Sequence, residues 1–347
     1  MYIILNQTRR ILFYFFLVGF GALLYGFMAS DPCPVLPSYL FTRKDPNMNT
    51  DKTIVLNDGR TLGYAEYGAP NGDAVFYFHG GQESRLSSQF MDSTAKSLNI
   101  RIIAPDRPGI GLSSYQSYRT FLDWGKDVEQ LADALKLKTF SVFGLSGGAP
   151  HVLACSYLIP ERIVNATIVS GTAPYDYKGK LKGSWIPIRL MHWFAASKKD
   201  KNLRKFINQE YKVLLEKPGK RLGQLQKYLP KPDKELMTSK PEYGIAFIRG
   251  SLESYRQGID AVVQEWRMYV RDWGFNLEDI QPHINLWYGE EDKMAPKYKG
   301  IYLQQHLPNA SLKILDNEGH FSLIRNHLSE ILIQLKTPKL ITVIEQQ

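Results

Sequence analysis

The chain has 347 residues and a formal net charge of +9, and 44% of its residues are hydrophobic. A chain of this size can bury a large core and could hold two average domains, although a single domain with an insertion also accounts for its length. Its only two cysteines, Cys33 and Cys155, exclude a disulfide framework, and their spacing provides no zinc site.

The first 30 residues predict a membrane anchor. Residues 11–28 contain no charged side chain, and two arginines precede them while an aspartate follows. This stretch approaches the ~20 residues needed to cross a bilayer. The flanking charges predict a cytoplasmic N-terminus, with the main part of the chain exported. Phe27 would occupy a position where signal peptidase requires a small side chain, so a retained signal anchor is favoured over the alternative, a protein secreted after signal cleavage.

A linker and a hairpin follow the anchor. Residues 31–52 contain four prolines, which predict a stiff, extended linker. The first part of an α/β core is expected over residues 53–171. It begins with two alternating stretches, 52–56 and 61–67, around an Asn-Asp-Gly turn at residues 57–59. That pattern predicts an antiparallel hairpin, expected at one edge of a sheet.

Short apolar stretches then alternate with helix-like stretches. This alternation predicts a mostly parallel sheet flanked by helices on both faces. The second part of the core is expected over residues 281–336, followed by a tail at 337–347. The six predicted strands after the hairpin are residues 74–78, 101–104, 140–143, 163–170, 284–288 and 311–315.

A helical cap is predicted between the two parts of the core, over residues 172–280. Helical stretches such as 203–215 and 250–269 replace the strand pattern there. Residues 178–240 carry 17 Lys or Arg against 5 Asp or Glu. A solvated lid surface explains this charge, and contact with anionic lipid is the functional alternative, because tryptophans are interleaved with the lysines. No nucleic-acid-binding motif accompanies the charge, so nucleic acid is not an expected partner.

Ser146 is the first candidate for chemistry. It lies in the pentapeptide Gly144-Leu145-Ser146-Gly147-Gly148, between the predicted strand 140–143 and a helix-compatible stretch at 150–158. A strand, a sharp turn and a helix form the context in which a nucleophilic serine is exposed above a sheet. A serine hydroxyl is a weak nucleophile, so it requires a neighbouring base and a third group that orients the base.

Two later segments supply these groups. Asp292 follows the fifth of the six strands above, and His320 follows the last. The order Ser146, Asp292, His320 is one in which nucleophile, orienting carboxylate and base occur in serine hydrolases. The residues alone leave Glu290 and Glu291 as competing carboxylates, since any carboxylate can orient an imidazole.

These motifs, together with His79-Gly80-Gly81 and Asp106-Arg107-Pro108-Gly109, resemble the α/β-hydrolase superfamily in its cap-bearing, serine-nucleophile branch. The resemblance extends from about residue 53 to residue 335. Its Gly-x-x-Asp pattern selects Asp292 over the adjacent glutamates. It implies a triad of Ser146, Asp292 and His320, with an oxyanion hole formed by the backbone N–H groups of Gly81 and Gly147.

The resemblance implies a lipase- or esterase-like hydrolase that cleaves small-molecule or lipid carboxylic esters through an acyl-enzyme, without cofactor or metal. Together with the anchor predicted from residues 1–30, it predicts a membrane-anchored enzyme. Hydrolysis of amides, thioesters or carbon–carbon bonds by the same triad is an alternative, as is a non-catalytic ligand-binding protein. Gln82 and Glu83 replace the Pro-Gly of relatives that read His-Gly-Gly-Pro-Gly, which argues against an aminopeptidase-like role. A serine nucleophile argues against epoxide hydrolase or dehalogenase chemistry, which uses a carboxylate.

Overall fold

A computed structural model describes residues 50–336, and an eight-stranded sheet lies at its centre. The strand order is β1-β2-β4-β3-β5-β6-β7-β8, with β1–β2 and β2–β4 antiparallel and all other neighbours parallel. The predicted fold, a mostly parallel sheet with a hairpin at one edge, is therefore confirmed. The strands are β1 (Lys52–Val55), β2 (Thr61–Gly68), β3 (Asp73–Phe78), β4 (Ile100–Pro105), β5 (Phe140–Leu145), β6 (Ile163–Val169), β7 (Ile284–Gly289) and β8 (Ala310–Leu315).

Twelve α-helices occur in the described part of the chain, and six of them follow one another between β6 and β7. The helices are α1 (Asp92–Ser97), α2 (Phe121–Ala134), α3 (Ala149–Leu158), α4 (Ile186–Ala196), α5 (Lys201–Glu216), α6 (Pro218–Tyr228), α7 (Lys231–Ser239), α8 (Pro241–Ser254), α9 (Asp260–Tyr269), α10 (Tyr298–His306), α11 (His320–Asn326) and α12 (Leu328–Lys336).

The burial of the strands follows their place in the sheet. All six residues of β5 and of β7 are buried, as expected for central parallel strands covered on both faces. In the edge strand β1, partly buried and exposed residues alternate, so only one face packs. Phe76 and Tyr77, neighbours in β3, belong to two different apolar clusters. The sheet therefore has a packed core on each face, with α2 and α3 on one side and α1 and α12 on the other.

The helices α4–α9, called the cap below, form a third apolar cluster with residues such as Leu203 and Ile248. One helix differs from expectation, because residues 250–269 belong to two helices, α8 and α9, instead of one. The chain turns between them, where Gly258 adopts a positive φ of 96° and its N–H donates to the carbonyl of Tyr255. The boundaries of the cap at residues 172 and 280 stay predictions.

Within residues 50–336, no helix combines the length and the apolar character that a membrane crossing requires. The predicted anchor at residues 1–30, nearly all of the linker and the tail at 337–347 lie outside the described residues. Cys33 also lies outside them, whereas Cys155 is buried on α3. The anchor therefore stays a prediction from sequence.

Candidate active site

Ser146 occupies a sharp turn at the end of β5. Its φ is +52°, and it opens a single 3-10 turn, Ser146–Gly148, that continues into α3. A non-glycine residue in this left-handed conformation costs on the order of 1–3 kcal/mol, which the surrounding structure must offset. A Cβ at Gly148 would lie 3.0 Å from the carbonyl carbon of Phe78, and one at Gly144 would lie 2.8 Å from the oxygen of Gly148. The close packing of these backbones explains why glycines flank the serine.

Asp292 and His320 come together at the carboxyl ends of β7 and β8. The Nδ1–H of His320 donates to Oδ2 of Asp292 at 2.8 Å, and both side chains are buried. The other carboxylate oxygen, Oδ1, accepts from the backbone N–H groups of Met294 and Ala295 at 2.8 and 2.9 Å. With Nδ1 protonated, the second ring nitrogen of His320 is free to act as a base.

The charges of this pair stabilise one another. Burial alone would raise the pKa of Asp292, but His320 and the backbone donors outweigh burial and hold that pKa below its ordinary value. Burial alone would lower the pKa of His320, but the hydrogen bond to Asp292 and the negative charges nearby, that of Asp292 foremost, together outweigh burial and raise the pKa. The pair is therefore arranged to favour a charged imidazolium next to a carboxylate.

A cavity of about 160 Å³ connects the predicted site residues. Ser146, His320, Gly81 and Gly147 all line it. A Cβ at Gly147 would lie 2.9 Å from the nitrogen of Gly81, so the two predicted oxyanion donors lie on adjacent stretches of backbone. Most of the remaining wall is apolar and includes Met191, Leu225, Phe247, Trp266, Met294 and Phe321.

Glu290, a competing carboxylate, and His151, which lies five residues after Ser146, have other surroundings. Glu290 is exposed and forms an ion pair with Lys297 at the surface. His151 is buried on α3, where its ring packs edge-on against Phe121 and Trp124. Burial lowers the pKa of His151 well below its usual value, so this imidazole is neutral. Neither residue lines the cavity.

A buried charge network, not expected from the sequence, holds the loop before Gly81. Arg107 donates to the carbonyl oxygens of His79 and Gly80 at 2.5 and 2.8 Å. Arg107 also pairs with Glu265 of α9, whose carboxylate accepts from Arg119 at 2.8 Å. All three charged side chains are buried. The cap helix α9 is thereby tied to the backbone that carries one predicted oxyanion donor.

Several other polar residues in the cavity wall were not identified from the sequence, among them Tyr269, His192 and Lys299. Tyr269 of α9 lies next to Gly147, since its hydroxyl oxygen would collide with a Cβ at that position. His192 of α4 is buried, and burial lowers its pKa to about 4. Lys299 of α10 is also buried, which lowers its pKa to about 8 against the opposing effect of Asp292. No local motif marks these positions, because only the docking of helices brings them to the cavity.

Sequence comparison places residues 73–326 within a family model described as the alpha/beta hydrolase fold. A non-heme chloroperoxidase of Streptomyces lividans is 29% identical over 150 residues, which are 42% of this chain and 53% of that protein. The chain spans about half the length, or less, of the curated relatives it matches.

Solved structures share the architecture at low sequence identity. The esterase RhEst1 from Rhodococcus sp. ECU1013 has a TM-score of 0.60 and 18% identity, covering 84% of this chain and all of its own. The enol-lactonase from Burkholderia xenovorans LB400 has a TM-score of 0.59 and 16% identity, covering 82% of this chain and 99% of its own. At this identity the similarity concerns the fold alone.

Proposed function

Because the chain belongs to the α/β-hydrolase family, as its motifs predicted, we propose that it is a serine hydrolase that cleaves carboxylic esters. The observation that carries this proposal is the buried contact between His320 and Asp292 at 2.8 Å, in the wall of a cavity that Ser146 also lines. A hydroxyl, an oriented imidazole and a buried carboxylate are the three groups that acyl transfer requires.

In the proposed reaction, Ser146 attacks the ester carbonyl and His320 takes the hydroxyl proton at Nε2. Asp292 keeps the proton of the ring on Nδ1 and stabilises the imidazolium. The N–H groups of Gly81 and Gly147 hold the oxyanion, and His320 then protonates the departing alcohol. Water attacks the acyl-enzyme with His320 again acting as the base, which releases the acid and restores Ser146.

The cavity supports small, apolar acyl groups as substrates. A cavity of about 150 Å³ holds a benzene-sized molecule, and the space here is similar. Its walls are mostly apolar, so an acyl chain gains by leaving water. We therefore expect a chain-length series of p-nitrophenyl esters to give its highest kcat/KM at a short acyl chain, of roughly four to six carbons.

Labelling by a fluorophosphonate tests the nucleophile without knowledge of the natural ester. The serine oxygen forms a bond to phosphorus and fluoride leaves, so a reactive serine becomes covalently marked. Wild type and Ser239→Ala, a change on the cap surface, are expected to label, whereas Ser146→Ala is not. Hydrolysis by purified Ser146→Ala should fall by about 10⁶. Activity above a hundredth of wild type would end the assignment, and an unlabelled wild type would favour a non-catalytic ligand-binding protein.

The proposed location is a membrane, with residues 1–30 as a retained anchor and the catalytic domain exported. The uncharged stretch 11–28 and the arginines before it support this proposal. N-terminal sequencing of the full-length protein distinguishes the two topologies. A mature chain that begins near Ser30 would indicate a cleaved signal and a secreted enzyme.

A further inference from the structure

A carboxylate from the cap reaches the backbone of His320. Asp233 lies on α7, and its Oδ2 accepts from the N–H of His320 at 2.9 Å. Its Oδ1 accepts from the N–H groups of Phe321 and Ser322 at 2.9 and 2.8 Å. The carboxylate is fully buried. One side chain of the cap therefore binds three consecutive N–H groups at the start of α11.

The fit around this carboxylate is close. A Cβ at Gly319 would lie 2.5 Å from the carboxyl atoms of Asp233, so no larger residue fits there without displacing them. His320 is the one group capable of positive charge among the main electrostatic partners of Asp233. Burial and the nearby charge of Asp292 raise the pKa of Asp233, whereas its three acceptor contacts and His320 favour the ionised carboxylate.

His320 is surrounded by acidic groups from three parts of the fold. Asp292 follows β7, Asp233 comes from α7, and Glu83 follows β3. Burial, the largest influence, lowers the pKa of His320, and these three carboxylates together outweigh it. Asp292 touches the imidazole ring, whereas Asp233 holds the backbone from which the ring projects. Through Asp233, the cap therefore both fixes the backbone of His320 and places a negative charge near its ring.

We infer that Asp233 is a positioning residue of the proposed triad, which fixes the backbone of His320 and stabilises the imidazolium formed when Ser146 loses its proton. The inference rests on the proposed function of Ser146 and His320, and Asp233 itself touches neither substrate nor reacting atoms. Because Asp233 belongs to the cap, a cap displaced from the core leaves His320 without this support. The ability of His320 to act as a base thereby depends on the docking of the cap onto the core.

The test is the pH dependence of fluorophosphonate labelling in Asp233→Asn, followed from about pH 5 to pH 9. Asparagine keeps the size of the side chain but removes its charge and turns one acceptor into a donor facing the N–H of His320. The labelling rate constant is expected to fall about tenfold or more. The midpoint of its acid limb should move to lower pH by about half a unit or more, because loss of a negative charge favours the neutral imidazole.

Glu235→Gln is the matched control. Glu235 lies on the same helix and undergoes the same change of charge, but its side chain is 67% exposed and pairs with Lys231 at the surface. Both the rate constant and the midpoint should equal those of wild type in this variant. A shift of the same size in Glu235→Gln would overturn the inference, because any loss of cap charge would then suffice.

Two further results would overturn the inference. One is Asp233→Asn with the rate and midpoint of wild type, and the other is a slower rate with an unmoved midpoint, which indicates a purely structural contact. If Asp233→Asn fails to fold in thermal unfolding, Asp233→Ser, with a hydroxyl acceptor and no charge, is measured against the same criteria. A wild type that labels but hydrolyses no ester removes the ester proposal alone, whereas an unlabelled wild type removes both.

Discussion

His320 can serve as a base only while its imidazole is neutral. Because Asp292 raises the pKa of this imidazole against the effect of burial, a larger fraction is protonated at a given pH than in an ordinary histidine. Activity should therefore fall as the pH drops, with a midpoint above the ordinary histidine pKa of about 6.5. The pH profile of kcat/KM checks this expectation. A midpoint below about 6 would contradict the arrangement of charges around His320.

Asp292→Asn should be far more damaging than Glu290→Gln. The amide would turn a donor toward Nδ1 of His320, which now donates to Oδ2 at 2.8 Å, and would favour the wrong tautomer. The loss in kcat is expected to be about 10⁴, the scale of the same change in a well-studied triad. Glu290→Gln is the control, because Glu290 is exposed. If the control lost more activity than Asp292→Asn, the orienting role would belong to Glu290.

Tyr269→Phe removes only a hydroxyl from the cavity wall. That hydroxyl lies next to Gly147, and its contact with Glu265 is at the long limit of a hydrogen bond, 3.5 Å. A donor at this place can reach the oxyanion, so kcat is expected to fall about tenfold, less than the 10²–10³ for an essential donor, with little change in KM. Steady-state kinetics on one ester, with Tyr302→Phe on α10 as control, provide the measurement. A kcat equal to that of wild type would show that the hydroxyl of Tyr269 does not contribute to the reaction and that the ring only packs against its neighbours.

The sequence points to those candidate residues that follow strands. Ser146, Asp292 and His320 each stand just after an apolar stretch, and parallel strands end at one edge of a sheet, so their proximity follows from local pattern alone. Asp233 and Tyr269 had no such signal. Each lies in an ordinary helical stretch of the cap, and only the docking of that helix on the core brings its polar end to the site.

At the level of elements, the contact between α9 and the core depends on one buried carboxylate. Glu265→Gln leaves Arg107 and Arg119 buried without their shared counter-ion. Breaking a buried pair in this way costs about 3–5 kcal/mol in the free energy of unfolding. Urea unfolding measures the loss. Asp260→Asn, on the same helix as Glu265, removes an exposed pair with Arg204 of α5 and should cost less than about 1 kcal/mol. Equal losses in the two variants would contradict a strong contribution from the buried network.

The elements themselves were predictable to different degrees. All eight strands occur within two residues of their expected bounds. Stretches of four to eight residues between turn signals are long enough for a strand but too short for a typical helix. The helices of the cap were less certain. Residues 250–269 keep a helical pattern across the turn that divides α8 from α9. Of the two glycines in that stretch, Gly250 lies inside α8 and Gly258 in the turn, and the sequence alone does not distinguish the tolerated helix residue from the break.

At the scale of the whole molecule, the charge is concentrated on the cap. The 17 basic residues between 178 and 240 lie in the segment before α4, on α4–α7 and in the turns that follow these helices, and on α4 the apolar side chains of Ile186 and Trp193 are 61% and 60% exposed. A protein lacking residues 1–30 is therefore expected to stay active and to bind anionic vesicles, losing that binding as salt rises, because screening acts over a Debye length of about 8 Å at physiological ionic strength.

Vesicle sedimentation across a salt series provides the measurement, with neutral vesicles as the control. Equal binding to neutral and anionic vesicles would refute an electrostatic contact, and so would the absence of binding to both. Either result would leave the anchor proposed for residues 1–30 unaffected, since the truncated protein lacks it.

The strands β6 and β7 are neighbours in the sheet, yet the six helices of the cap separate them along the chain. At a synthesis rate of roughly 5–20 residues per second, on the order of 10 s pass between the synthesis of β6 and that of its partner strand β7. During that interval β6 is an unpaired, apolar edge of the partly formed sheet, and such an edge can pair with strands of other chains. The helices inserted between β6 and β7 thus prolong the time for which one edge of the nascent sheet is exposed to aggregation.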